Sequence, residues 1–234
     1  MPIRRASTVA LLRDSDNGPE LLLVRRNRAL AFAGGFWVFP GGALDDEDIA
    51  RGNGDEDAAA RFAAAREAEE EAGLRPDPQS MVLVSHWTTP VAEKKRFSTW
   101  IYAGSIAADA EVQIDGSEIH DYQWSSPGEA LAANRAGKLP MMPPTYFTLC
   151  ALARYGSASE ALAGERETPC PRVLPLLIAG KEKGDFTALY PGDVAYDSGD
   201  MSQSGPRHRA FLDRGGWQYI YDDACGAPPL YPRS

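Results

Sequence analysis

Two apolar runs, Ser7 to Leu12 and Glu20 to Val24, flank the segment Asp14-Ser15-Asp16-Asn17-Gly18-Pro19. Short runs of this kind around a cluster of Asp, Asn, Gly and Pro predict a β-hairpin. Phe36-Trp37-Val38-Phe39 predicts a short buried strand that delivers the chain into Pro40-Gly41-Gly42. The next stretch, Ala43 to Glu56, is acidic, carries Gly52-Asn53-Gly54 near its end and lacks the spacing of an EF-hand loop. It predicts an exposed surface loop at the site entrance, where changes of length are tolerated. The pattern then becomes helical: Ala64, Ala65, Ala68 and Ala72 form a slim apolar stripe, Gly73 stops the helix and Leu74 returns to the core.

Met81 to Thr88 and Arg96 to Ala103 predict two further strands, joined by Thr89 to Lys95. Helices follow from about Gly128 to Ala136 and, after Pro143-Pro144, from Thr145 to Tyr155. Pro169, Pro171 and Pro175 mark a change of composition, so the chain divides into residues 1–163 and an extension, 164–234. Within the extension, Arg172 to Ile178 and Phe186 to Tyr190 predict strands and Asp197 to Gly205 a loop. The alternating run Trp217-Gln218-Tyr219-Ile220-Tyr221 predicts a buried aromatic surface, packed on the main domain or on a second subunit. No internal repeat is visible.

The helix after the glycines carries the chemistry. In Arg66-Glu67-Ala68-Glu69-Glu70-Glu71-Ala72-Gly73-Leu74, Glu67, Glu70 and Glu71 stand at i, i+3 and i+4 on one face, and Glu69 points about 200° away. Like charges at that spacing cost roughly 0.2–0.5 kcal/mol per pair. A hard divalent cation among them explains the arrangement, because Mg²⁺ favours carboxylate and carbonyl oxygen and keeps positions for water and phosphate. Arg66 lies four residues before Glu70 and can hold it. Gly41 and Gly42 lack Cβ atoms, which permits a tight turn and close approach of backbone to ion or phosphate.

This segment resembles the Nudix hydrolase box, G-x5-E-x7-R-E-U-x-E-E-x-G-U with U apolar. Arg66 to Leu74 matches its second half at every fixed position and Gly42 matches its first glycine. Gly42 lies 24 positions before Arg66 where the pattern has 14, so ten residues are inserted, and the first box glutamate, counted back from Arg66, falls at Ala58. Asp57 or Glu56 is then the acid at hand. The resemblance implies an α/β/α sandwich with a mixed sheet, here with a C-terminal extension, and hydrolysis of a nucleoside diphosphate linked to another moiety with Mg²⁺ or Mn²⁺. It implies Glu67, Glu70 and Glu71 as metal ligands with a backbone carbonyl near Gly41-Gly42, and a catalytic set of Glu70, Glu71 and Arg66. Glu118, several residues before Trp124, is the candidate base or extra ligand, with a solvated loop carboxylate as the alternative.

Arg25, Arg26 and Arg28 follow the second strand as either solvated or phosphate-facing charge, and Arg96 with Lys95 either meets phosphate or pairs at the surface. Arg25, Arg96 and Gly41 are taken as the substrate-binding set. Segments from Leu21 to Gly42, Trp87 to Thr99 and Trp124 to Leu149 are also similar to the Nudix branch that contains peroxisomal-type coenzyme A diphosphatases, although Ala29 to Gly35 departs from its fuller signature. Coenzyme A or acyl-coenzyme A is therefore the favoured substrate, with ADP-ribose, NADH and nucleotide sugars as alternatives. A non-catalytic nucleotide sensor is the alternative of another class; the displaced first glutamate argues for it and the three intact glutamates argue against it.

At 234 residues the chain can bury a sizeable core. Its net charge of -9 argues against general binding to nucleic acid or an anionic membrane. Cys150, Cys170 and Cys225 are too widely spaced for a zinc site or disulfide framework, and His86, His120 and His208 have no metal-ligand spacing. The N-terminal apolar stretch is too brief for a signal peptide, which gives a cytoplasmic expectation. The expected partners are a small nucleoside diphosphate substrate and, in a homodimer, a second copy of the chain.

Overall fold

The computed structural model describes residues 3–28, 33–114, 116–180, 185–213 and 216–232. The predicted hairpin forms as β1 (Arg4–Ser15) and β2 (Gly18–Arg26), which pair antiparallel from Leu12↔Leu21 to Ser15↔Gly18. Beyond that short ladder the strands separate. β3 (Trp37–Val38) then pairs with β2 and β4 (Gly41–Ala43) pairs with β1. β5 (Val82–Thr88) and β6 (Phe97–Ser105) pair antiparallel, β6 runs parallel to β1, and β7 (Ile119–Ser125) lines the far side of β2.

The buried strands read as near-continuous apolar runs because both faces of the sheet are covered. Along β1, Val9 and Leu11 point to one face, where they meet Ala60, Ala64, Ala68 and Ala72 of helix α2 (Glu56–Ala72). Ala10 and Leu12 point to the other, toward Phe147 and Leu149 of α4 (Pro143–Leu152). Alanines four apart leave α2 without bulk on its inner side, so it lies close to the sheet. Asp55 caps its first turn, and Gly73, at φ 70°, closes it with its N–H on the carbonyls of Ala68 and Glu69.

The acidic stretch expected as a loop contains a helix instead. α1 (Asp46–Gly52) starts at a reciprocal capping box in which Asp45 accepts from Asp48 N–H and Asp48 accepts from Asp45 N–H. Asn53, at φ 47°, ends it. The acids that suggested solvated loop are its N-terminal turn, where negative charge is favoured by the helix dipole.

α3 (Pro127–Arg135) and α4 stand where helices were expected, and α5 (Ala158–Glu167), across residue 163, was not foreseen. The expected strand over Arg172 to Ile178 is two strands, broken at Leu174-Pro175: β8 (Arg172–Val173) pairs with β5, and β9 (Leu176–Ala179) turns away. β9 joins β10 (Phe186–Leu189), β11 (His208–Asp213) and β12 (Gly216–Tyr221) in a second antiparallel sheet. Trp217 is buried, with its N–H on Asn134 Oδ1 (3.0 Å) and Nε1 on Met141 O (2.8 Å). Tyr219 and Tyr221 are half-buried beside it, while Gln218 and Ile220, the latter 43% exposed, face outward, so the alternating run turns its aromatic side inward and its other side to solvent.

Candidate active site

Thr8 fixes the Pro-Gly-Gly turn, donating its hydroxyl to Pro40 O (2.6 Å), while Val9 N–H donates to the same carbonyl (3.0 Å). The register places Gly41 opposite Thr8 and Gly42 opposite Ser7. A Cβ at Gly41 would strike the backbone of Ser7 and Thr8, whereas the nearest atoms to one at Gly42 are those of the Glu67 carboxylate. The two glycines therefore serve different ends: the first allows strand pairing and the second makes room for an acid.

Glu71 enters from the same face of α2, and its Oε2 accepts the Gly41 N–H at 3.0 Å. Burial pushes its pKa up to about 8; the Gly41 N–H and Arg26 oppose the shift, and Glu67 and Glu118 reinforce it. Glu67 is also raised, by burial first, against the pull of Arg66. Glu70 lies farther out, with Oε2 3.0 Å from Arg66 Nη1, the same nitrogen that meets Glu67 Oε1 at 3.0 Å. Glu69 points away and pairs with Arg75 at 2.6 Å.

Arg66 is the hub of the arrangement. Its Nη2 donates to Asp48 Oδ2 (2.9 Å) and to Ala43 O (3.1 Å), and its Nε lies 3.4 Å from Asp45 Oδ2. Burial lowers its pKa, but Asp48 and Glu67 outweigh that, and the net direction is up. Asp48, 1% exposed, is the acid that sequence reasoning missed. Counting forward from Gly42, five residues precede Asp48, which is the box spacing; the ten extra residues come after the acid. The backward count from Arg66 reached Ala58 because it placed the insertion before it. Neither acid beside Ala58 reaches the cluster: Asp57 holds Tyr102 Oη (2.7 Å) and Arg61 Nε (2.6 Å), and Glu56 meets Arg5 at 3.3 Å.

Glu118 lies at the rim, its side chain 57% exposed, with Oε2 3.5 Å from Arg26 Nη2. Arg25 and Arg96 are not drawn to the acids. Arg25 reaches Gly35 O (3.4 Å) and lies over the Trp37 ring, while Arg96 holds the β5–β6 loop through Thr89 O (3.1 Å). Residues 29–32, within the segment that departs from the coenzyme A signature, lie outside the described residues.

The residues 3–144 match the family model described as the NUDIX domain, more than half of the chain. The chain belongs to the Nudix family. Among curated Nudix relatives, it is 28% identical over 132 residues to the acyl-coenzyme A diphosphatase NUDT19 of Gallus gallus, covering 53% of this chain and 34% of that protein. It is 28% identical over 126 residues to NUDT19 of Homo sapiens, covering 52% of this chain and 33% of the relative. The chain thus matches about a third of the length of these proteins. Its fold is similar to the crystal structure of a NUDIX hydrolase from Alicyclobacillus acidocaldarius, with a TM-score of 0.63 and 24% identity over 70% of this chain and 96% of that one.

Among the described residues no group of three or more His, Cys, Asp or Glu is gathered to hold a metal ion, and Glu67 and Glu70 both pair with Arg66. The donor set nevertheless fits one. Gly42 is a cradle that a Cβ would fill, with the Glu67 carboxylate in it, and burial disfavours the ionised form of Glu71 beside it, a cost that a bound cation would offset. No described helix is long and apolar enough to cross a membrane.

Proposed function

We propose that this chain is a divalent metal-dependent pyrophosphohydrolase whose substrate is coenzyme A or acyl-coenzyme A. The observation that carries the catalytic reading is the meeting of Glu67 with Gly42 and of Glu71 with the Gly41 N–H, beside an Arg66 held by Asp48. Recovery of an acid at the spacing of the first box glutamate removes the main argument for a non-catalytic sensor. The names of the curated relatives favour coenzyme A derivatives over ADP-ribose, NADH or nucleotide sugars.

In this reading Glu67, Glu70 and Glu71 hold Mg²⁺ or Mn²⁺, with a backbone carbonyl near Gly41-Gly42. The ion supplies charge neutralisation of the diphosphate and a more acidic water. Asp48 fixes Arg66, and Arg66 orients Glu67 and Glu70. Glu118, at the solvent-facing rim, would in this reading take a proton from the attacking water.

The test is a hydrolysis screen with Mg²⁺ or Mn²⁺ over coenzyme A, acyl-coenzyme A, ADP-ribose, NADH and nucleotide sugars, with products identified. Adenosine 3′,5′-bisphosphate and a phosphopantetheine product are expected from the coenzyme A compounds. Cleavage of another diphosphate alone would replace the substrate, and cleavage of none would return the sensor reading.

A further inference from the structure

Arg26 faces the buried acids from β2, opposite α2. Its Nη1 is 3.8 Å from Glu71 Oε1 and its Nη2 is 3.5 Å from Glu118 Oε2. Both distances are long beside the roughly 2.7–2.9 Å of a good charge-assisted bond. Its Nε is buried and has no hydrogen-bond partner among the described residues. The backbone at Arg26 is firmly held, with N–H on Phe36 O (3.1 Å) and its carbonyl accepting from Gly35 N–H (3.0 Å). A firmly held backbone therefore carries a weakly bonded guanidinium into the site.

Arg66 and Arg209 show how a fully bonded guanidinium is held in this molecule. Arg66 makes contacts of 2.9–3.1 Å through both Nη atoms, and Arg209 Nε meets Asp193 at 2.7 Å. Arg26 instead supplies charge without a fitted set of acceptors. At the irregularity in β2 between the two residues, Arg25 reaches Gly35 and Trp37 while the Arg26 guanidinium lies beside Glu71 and Glu118.

We propose that Arg26 is an exchangeable counter-charge: it balances Glu71 and Glu118, competes with the divalent cation for them, and on release presents its planar fork to the substrate diphosphate. The proposal rests on the metal-dependent reading above. A cation held by Glu71 repels the guanidinium beside it, and the fixed strand leaves only the side chain free to swing. The acceptor that suits a five-donor fork is a diphosphate, which it can grip through two parallel hydrogen bonds.

The test compares Arg26→Gln and Arg26→Lys with the parent, each shown to be folded by its melting curve. Binding of Mn²⁺ alone is followed by the electron paramagnetic resonance of the free ion. Arg26→Gln is expected to bind Mn²⁺ about three- to fivefold more tightly, the scale of a partly exposed ion pair, and Arg26→Lys to stay near the parent. With acetyl-coenzyme A, KM is expected to rise about tenfold or more in both variants while kcat changes less, because lysine keeps the charge and loses the fork. Unchanged or weaker Mn²⁺ binding in Arg26→Gln overturns the counter-charge, and tighter binding with unchanged KM overturns the diphosphate contact. A parent that binds no Mn²⁺ sinks the metal reading and this proposal together. If the parent binds Mn²⁺ but leaves acetyl-coenzyme A intact, only the substrate reading fails; tighter Mn²⁺ binding in Arg26→Gln then supports the counter-charge, and its absence overturns it.

Discussion

Glu71 on α2 and Asp193 in the extension are 6% and 5% exposed, and the fold treats their charges in opposite ways. Asp193 Oδ2 accepts from Arg209 Nε (2.7 Å) and His208 N–H (2.8 Å), and Oδ1 accepts from Ala195 N–H (2.9 Å) and Arg209 Nη2. Burial pushes its pKa up, but these partners outweigh burial and the net direction is down. Glu71 has one short bond, to Gly41, and an arginine at 3.8 Å, so burial wins. One acid has its bonding capacity filled by the chain. The other keeps unfilled bonding capacity, which the proposed function assigns to a cation.

The largest expected effect breaks the satisfied member of this pair. Asp193→Asn keeps the shape but leaves Arg209 buried without its counter-charge, a loss of about 3–5 kcal/mol in unfolding free energy. Urea titration measures it, and kcat/KM of the variant while folded should match the parent. A loss below 1 kcal/mol would show that the buried pair is not a structural anchor.

The converse change removes charge from the unsatisfied acid. Glu71→Gln and Glu70→Gln should each lower kcat/KM by at least about 10²-fold. In metal-free buffer above about pH 8, where Glu71 is ionised, Glu71→Gln should melt no lower than the parent, because an amide there avoids burying an under-bonded charge. Glu69→Gln, on the other side of the helix against Arg75, is the control and should stay near parent activity. Equal activity in all three would sink the assigned site.

The glycines sharpen the contrast on a smaller scale. The nearest group that Gly42→Ala meets is the movable end of Glu67, so the protein should fold with nearly unchanged melting temperature, yet the displaced carboxylate should cost about tenfold in activity. Gly41→Ala meets the backbone of β1 and should lose about 1–3 kcal/mol of stability. Paired melting curves and rates distinguish the two, and identical losses would show that Gly42 has no separate role.

Much of the candidate site's geometry was readable because its signals are local. The i, i+3, i+4 acids, the Ala stripe and Gly73 lie within one helix, and the apolar runs of β1 and β2 flank a recognisable turn. Asp48 was missed because an insertion makes the answer depend on the end from which spacing is counted, while an Asp-x-x-Asp capping box looks, by composition, like solvated loop. The second sheet was harder still. In β11, His208 and Arg209 are buried through partners 15 to 17 residues away, His208 Nδ1 on Pro191 O and Arg209 on Asp193, and a polar run gives no local sign of such pairing.

The smallest expected effect is a pH dependence that tests the same pair without mutation. The Glu71 pKa is raised from 4.5 to about 8 in the folded chain, so the folded state holds that proton more tightly than the unfolded state. Its contribution to stability is full below about 4.5 and is lost as pH rises through about 8. Asp193 has the opposite sign, since its lowered pKa contributes stability above its unfolded value of 3.8 that is lost as pH falls. Between pH 6 and 8.5 only Glu71 titrates of the two, and a divalent cation must displace its proton. The rise in melting temperature on adding Mg²⁺ should therefore be roughly a few degrees larger at pH 8.5 than at pH 6. In Glu71→Gln that difference should vanish, whereas in Arg26→Gln it should remain. A Mg²⁺ shift of the same size at both pH values would show that Glu71 does not exchange its proton for the ion.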